Sequence, residues 1–147
     1  MDSRVAKLKT PMECEVFAAN ARARGAPELA EQARKRAVQL RAQSHGAQSD
    51  VERECLEAVY AYEEILSEKR GRRQPAGRTW QMIHRHGVLP AVERIVTKRG
   101  ESTGYSALAE MGLHEFAFEA VVLRNQQHFS EQAIACSRER LGEHGAA

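Results

Sequence analysis

Residues 49–69, SDVERECLEAVYAYEEILSEK, decide the fold. Ser49 followed by Glu52 has the form of a capping box, in which the hydroxyl and the carboxylate satisfy amide donors left over at a helix start. Behind it Val51, Cys55, Val59, Tyr62 and Leu66 recur every three or four positions, tracing one face of a helix. No Gly or Pro interrupts the run, and the spacing predicts a helix over 50–69.

The punctuation is as clear toward the N-terminus. Thr10, Pro11 and Glu13 form a second capping box with proline at the first helical position, and Gly25 offers a left-handed stop, which predicts a helix over 11–24. Pro27 opens another segment, where Leu29, Ala33, Ala37 and Leu40 repeat at helical spacing until Ser44 and Gly46. These two helices make a helical hairpin ahead of the long third helix.

On the C-terminal side the run from Lys69 to Gly77 contains two glycines, a proline and four positive charges and reads as an exposed loop. A short helix is expected from Thr79 to His86, ended by Gly87, and another from Pro90 to Lys98 before Gly100. Residues 101–104 form a polar connection, and residues 105–111 a helical turn or two closed by Gly112. Residues 113–124 form an apolar helix expected to be central, carrying Phe116, Phe118, Val121, Val122 and Leu123. Phe129 before the cap Ser130, with Ile134 beyond it, matches a hydrophobic staple for a last helix to about Leu141, and residues 142–147 read as frayed. No segment alternates in the manner of a strand. The expected fold is all-α: a helical hairpin plus a long third helix, then a basic helix-turn-helix-like segment and a C-terminal helical bundle portion. A chain of 147 residues suits one domain, 1–147, with a subdivision near the 71–77 loop into an N-terminal three-helix part, 1–70, and a basic C-terminal part, 78–141.

Charge is distributed unevenly along this frame. From Lys69 to Arg99 there are nine Lys or Arg against one acid, Glu93, whereas the residues before and after are net acidic and the whole chain carries only +2. Concentrated positive charge builds a potential suited to a polyanion. On a helix over 78–86, Arg78, Gln81 and Arg85 share one face, while Trp80 and Ile83 project from the other, which is expected to pack. Arginine can grip phosphate or guanine in bidentate fashion and glutamine can pair with adenine. The candidate nucleic-acid contacts are therefore Arg70, Arg72 and Arg73 from the loop, Arg78, Gln81 and Arg85 from the helix, and Lys98 and Arg99 beyond the next one. The alternative is that these charges pair internally with Glu57, Glu63, Glu64 and Glu68 of the third helix.

Chemistry is poorly represented. His84 and His86 are two residues apart and point about 200° from one another on a helix, so they cannot share a metal. His114-Glu115 starts like a zinc-protease helix, but Phe118 occupies the place of the second histidine. Cys14, Cys55 and Cys136 are widely separated and odd in number, consistent with reduced core thiols rather than a disulfide or zinc framework. No cofactor is expected. No run approaches the roughly 20 apolar residues of a membrane span, so a cytoplasmic location is expected, without membrane contact.

The stretches Arg78-Thr-Trp-Gln-Met-Ile-His-Arg-His-Gly87, Ala91-Val-Glu-Arg94, Gly104-Tyr105 and Glu119-Ala-Val-Val-Leu-Arg124 together resemble a family of small uncharacterised bacterial all-helical proteins. The resemblance covers most of the chain. It implies a bacterial, soluble protein and brings no catalytic residues. The residues thus lead to the expectation of a non-enzymatic protein that binds nucleic acid, duplex DNA in the first instance, alone or as an accessory to a DNA-acting protein. A helical adaptor for another protein is the alternative.

Overall fold

The computed structural model describes residues 1–98 and 104–143. Among them all regular structure is helical: α1 Ser3–Ala6, α2 Pro11–Ala23, α3 Pro27–His45, α4 Asp50–Arg70, α5 Gly77–His86, α6 Val88–Thr97, α7 Tyr105–Glu110, α8 Phe118–Arg124 and α9 Glu131–Glu143, with short 3-10 turns at His114–Phe116 and Gln126–His128. The expected connection over 101–104 lies, except for Gly104, outside the described residues, as do 144–147.

Helix starts follow the side chains that cap them. Thr10 Oγ1 accepts from the Glu13 amide and Ser49 Oγ from the Glu52 amide, each at 3.1 Å. The reciprocal carboxylates reach one residue further back than in a standard capping box, Glu13 to the Lys9 amide at 2.8 Å and Glu52 to the Gln48 amide at 3.4 Å. Short α1 was not expected; Asp2 accepts from the Arg4 amide and starts it.

The long helix α4, rather than the 113–124 segment, lies at the centre. It buries Val51, Cys55, Leu56, Ala58, Val59, Ala61 and Ile65, more than the single stripe expected of it, because helices pack on both sides. One apolar cluster joins Val38 of α3 and Ala61 and Ile65 of α4 to Leu108, Leu113 and Phe116; a second joins Cys55 and Ala58 to Val92 and Val96 of α6, Val121 and Val122 of α8 and Ala133 of α9. The hairpin α2–α3 closes over small residues, Ala18 and Ala21 against Ala30 and Ala33. At Cys55 burial pushes the thiol up to about 12, as for a core side chain.

The expected continuous helix over 113–124 is broken. Ala117 takes an extended conformation, φ −58° and ψ 144°, between the 3-10 turn and α8. The break turns Leu113 and Phe116 toward the first cluster and Val121 and Val122 toward the second, which one straight helix face does not allow. The last helix has the staple foreseen for it, with Phe129 and Ile134 both against the second cluster and Ser130 Oγ accepting from the Ala133 amide at 3.0 Å.

Candidate nucleic-acid interface

Helix α5 buries none of its residues, so its position depends on how the chain before and after it is held. Gly71, left-handed at φ 76°, ends α4, and the Gln74 amide donates back to Ser67 Oγ at 2.9 Å. The loop then converges on Glu63, a carboxylate only 3% exposed. Its oxygens accept from Arg73 Nη2 at 2.5 Å, the Ala76 amide at 2.8 Å and Trp80 Nε1 at 2.7 Å. A buried carboxylate is tolerated only with such partners, and these three fasten the loop and the first turn of α5 to α4. The Trp80 ring completes the attachment, stacked on His45 with centroids 5.2 Å apart and 12° between planes, and tilted against Tyr60 at 5.2 Å. Trp80 thus packs as the helical spacing implies, although it and Ile83 are half-buried rather than enclosed in the core.

Helix α6 starts at Val88, two residues before the expected Pro90, so the joint with α5 is Gly87 alone, φ 93° and ψ 167°. A DNA-reading helix-turn-helix has a turn of three or four residues and presents its second helix. Here α6 is the packed helix, with Ala91, Val92 and Val96 buried, and α5 is the exposed one. Glu93, the one acid of the basic window, is structural: it accepts from the Ser130 amide at 3.0 Å and Ser130 Oγ at 2.5 Å, holding the cap of α9. From α9 Arg140 returns the tie, donating to the Ile95 and Lys98 carbonyls and, at 3.3 Å, to the buried Glu119. The pair α5–α6 is thus a glycine-jointed corner mounted on a packed helix.

The outer side of this corner is a groove of about 270 Å³ lined by Arg78, Gln81, Met82, Arg85, His86 and Arg94. Three of the expected residues, Arg78, Gln81 and Arg85, are brought together as the helical spacing implied, and Arg94 of α6 joins them. Among the described residues none of these arginines has a carboxylate partner. Helix α4 does pair its acids, but chiefly with arginines outside the basic window: Glu57 with Arg53, Glu54 with Arg124, Glu68 with Arg34. Burial, with a lesser contribution from the Arg94 and Arg85 charges, holds the His86 imidazole below its usual pKa.

The remaining expected contacts separate from this groove. Arg73 is taken by Glu63 and Glu64, so it serves the fold rather than a ligand. Arg72 lines a different cleft, between α2, α3 and the end of α4, with Arg22 and Arg34. Arg70 and Lys98 are exposed at the ends of α4 and α6, and Arg99 lies outside the described residues.

Sequence reasoning missed Arg94 and His86 as groove residues, and Glu63 as the anchor. The signal for Glu63 was present: Val51, Cys55 and Val59 advance by four, and the next step lands on Glu63, an acid on an apolar ladder that must find donors. Among the described residues no three His, Cys, Asp or Glu are grouped to hold a metal ion, and no helix is long and apolar enough to cross a membrane. No protein-family model, curated protein or solved structure matches the chain.

Proposed function

We propose that the protein binds nucleic acid without chemistry of its own, using the α5–α6 corner as a phosphate-gripping surface. The observation that carries this reading is the cluster of Arg78, Arg85 and Arg94 around one groove, with no described carboxylate neutralising them. Stability gives no reason to collect three like charges there, since surface charges contribute little to folding and like charges repel. Guanidinium groups spaced along a groove suit consecutive phosphates, with Gln81 among them to meet a base edge. The expected partner is DNA, with the protein acting alone or as an accessory to a DNA-acting protein.

The test is the double variant Arg78→Glu with Arg85→Glu, measured against labelled DNA at low salt and by thermal melting. Both residues are exposed, so the melt should be nearly unchanged while binding falls by at least an order of magnitude. An unchanged affinity per folded molecule would remove this reading.

One observation favours a second reading, a helical adaptor. The outer face of α2 leaves Met12 72% and Val16 57% exposed, beside Leu8 and Phe17. Adjacent exposed apolar side chains suit a protein partner. That face is separate from the groove, and changing Met12 and Val16 to Ser tests it without touching the arginines.

A further inference from the structure

The two sides of α5 differ, and the side away from the α6 groove is shaped for a different part of a nucleotide. There an open pocket of about 560 Å³ is lined by His45, Trp80, Gln81, Ile83, His84 and Arg85. Trp80 and Ile83 give it an apolar floor, and His45, His84, Gln81 and Arg85 place hydrogen-bonding groups around it. Gln81 and Arg85 border both this pocket and the arginine groove, so they form the ridge between the two. The indole is fixed by Glu63, His45 and Tyr60 and is still partly exposed. An indole held in orientation at the surface is preorganised to receive a flat ligand, because little freedom is lost on binding.

From this geometry we infer that the site takes a single-stranded or locally unpaired nucleic acid, one base resting in the His45–Trp80–Ile83 pocket while the neighbouring phosphates lie in the Arg78–Arg85–Arg94 groove. It rests on the nucleic-acid reading of the α5–α6 corner and narrows its ligand. A base offers a π-face to the apolar floor and a polar edge to the rim. In a duplex each base is stacked between its neighbours and cannot present that face, so the pocket selects for unpaired strands over the duplex first expected from the sequence. Charge complementarity argues for this occupant over an apolar peptide, since the pocket opens onto guanidinium groups.

Trp80 is the only tryptophan in the chain, so its fluorescence reports this pocket alone. Full-length protein is titrated with a labelled oligothymidylate and with a labelled, fully paired blunt-ended duplex without a loop at the same salt, following label anisotropy for binding and Trp80 emission for stacking. The expected result is quenching by the single strand only, and about ten-fold tighter binding of it, the contribution of roughly one stacked base. Trp80→Phe and Trp80→Leu both lose the hydrogen bond to Glu63, so comparing them isolates the ring: the Phe variant keeps the single-strand preference and the Leu variant loses it. Equal binding of both DNAs without quenching overturns this inference and leaves the nucleic-acid reading standing. Absence of binding to either overturns both. If the variants unfold, the wild-type quenching comparison decides, and an oligouridylate titration shows whether the strand can be RNA.

Discussion

Glu63 and Glu64 are adjacent on α4 and face Arg73 together, yet their environments predict opposite responses to substitution. Glu63 satisfies an arginine, a backbone amide and an indole N–H from a buried position, so Glu63→Ala strands three donors. The expected cost is about 3 kcal/mol, in the range for breaking a buried charge pair, and urea unfolding measures it. At Glu64 burial raises the carboxyl above the ordinary glutamate value of about 4.5, with Arg73 offsetting only part of that penalty. A raised carboxyl pKa means that the contribution to stability is fully present below about 4.5 and is lost as pH rises through the folded-state value. Glu64→Gln should therefore melt close to wild type at acidic pH and higher than wild type near neutrality. A variant whose deficit grows with pH would show that the Arg73 pair outweighs the burial.

The joint between α5 and α6 depends on Gly87, whose φ 93° and ψ 167° lie in a region essentially closed to other residues. A Cβ there would meet nothing closer than Pro90 Cδ at 3.7 Å, so the obstacle is backbone conformation rather than space. Gly87→Ala is expected to cost about 1–3 kcal/mol and to weaken nucleic-acid binding, because the corner that sets Arg85 beside Arg94 must open; denaturant melts and DNA titration of the same sample check both. That glycine also marks what the sequence could disclose. Caps and stops at Thr10, Gly46, Ser49 and Ser130 act through neighbours a few residues away, so helix existence and most boundaries were legible. So was the shared face of Arg78, Gln81 and Arg85. The break at Ala117 was not, because it answers to two separate cores. Pairing of the basic window with Glu63 and Glu64 was foreseen as the alternative and holds, among the described residues, for Arg73 alone, whereas the capture of the Lys98 carbonyl by Arg140, 42 residues on, was not legible. Contacts of that kind arise from the packing of helices and leave no local pattern. Gly87 was read as part of a three-residue turn because Pro90 looked like a first helical position, whereas α6 takes in Val88 and Leu89 before it.

Over the whole molecule the small net charge conceals a division of labour. Acids of α4 neutralise arginines of α3, α8, their own helix and the following loop, while the three arginines around the α5–α6 groove have no carboxylate partner among the described residues. If Arg78, Arg85 and Arg94 each displace a counterion from one phosphate, the log of the binding constant should fall with the log of salt at a slope of roughly −2 for single strands and approaching −3 for duplex. Arg94→Gln removes one contact and should reduce the slope by about 0.9 on duplex and about 0.7 on single strands while lowering affinity uniformly across sequences. Arg73→Gln supplies the contrast: its guanidinium is already committed to Glu63 and Glu64, so it should cost stability and leave the salt slope where it was. The two variants thus separate charge that grips a ligand from charge that holds the fold, and titrations across a salt series with thermal melts of both decide it. Should Arg73→Gln flatten the slope and Arg94→Gln leave it unchanged, the phosphates would run along the cleft that holds Arg22, Arg34 and Arg72 instead of the α5–α6 corner.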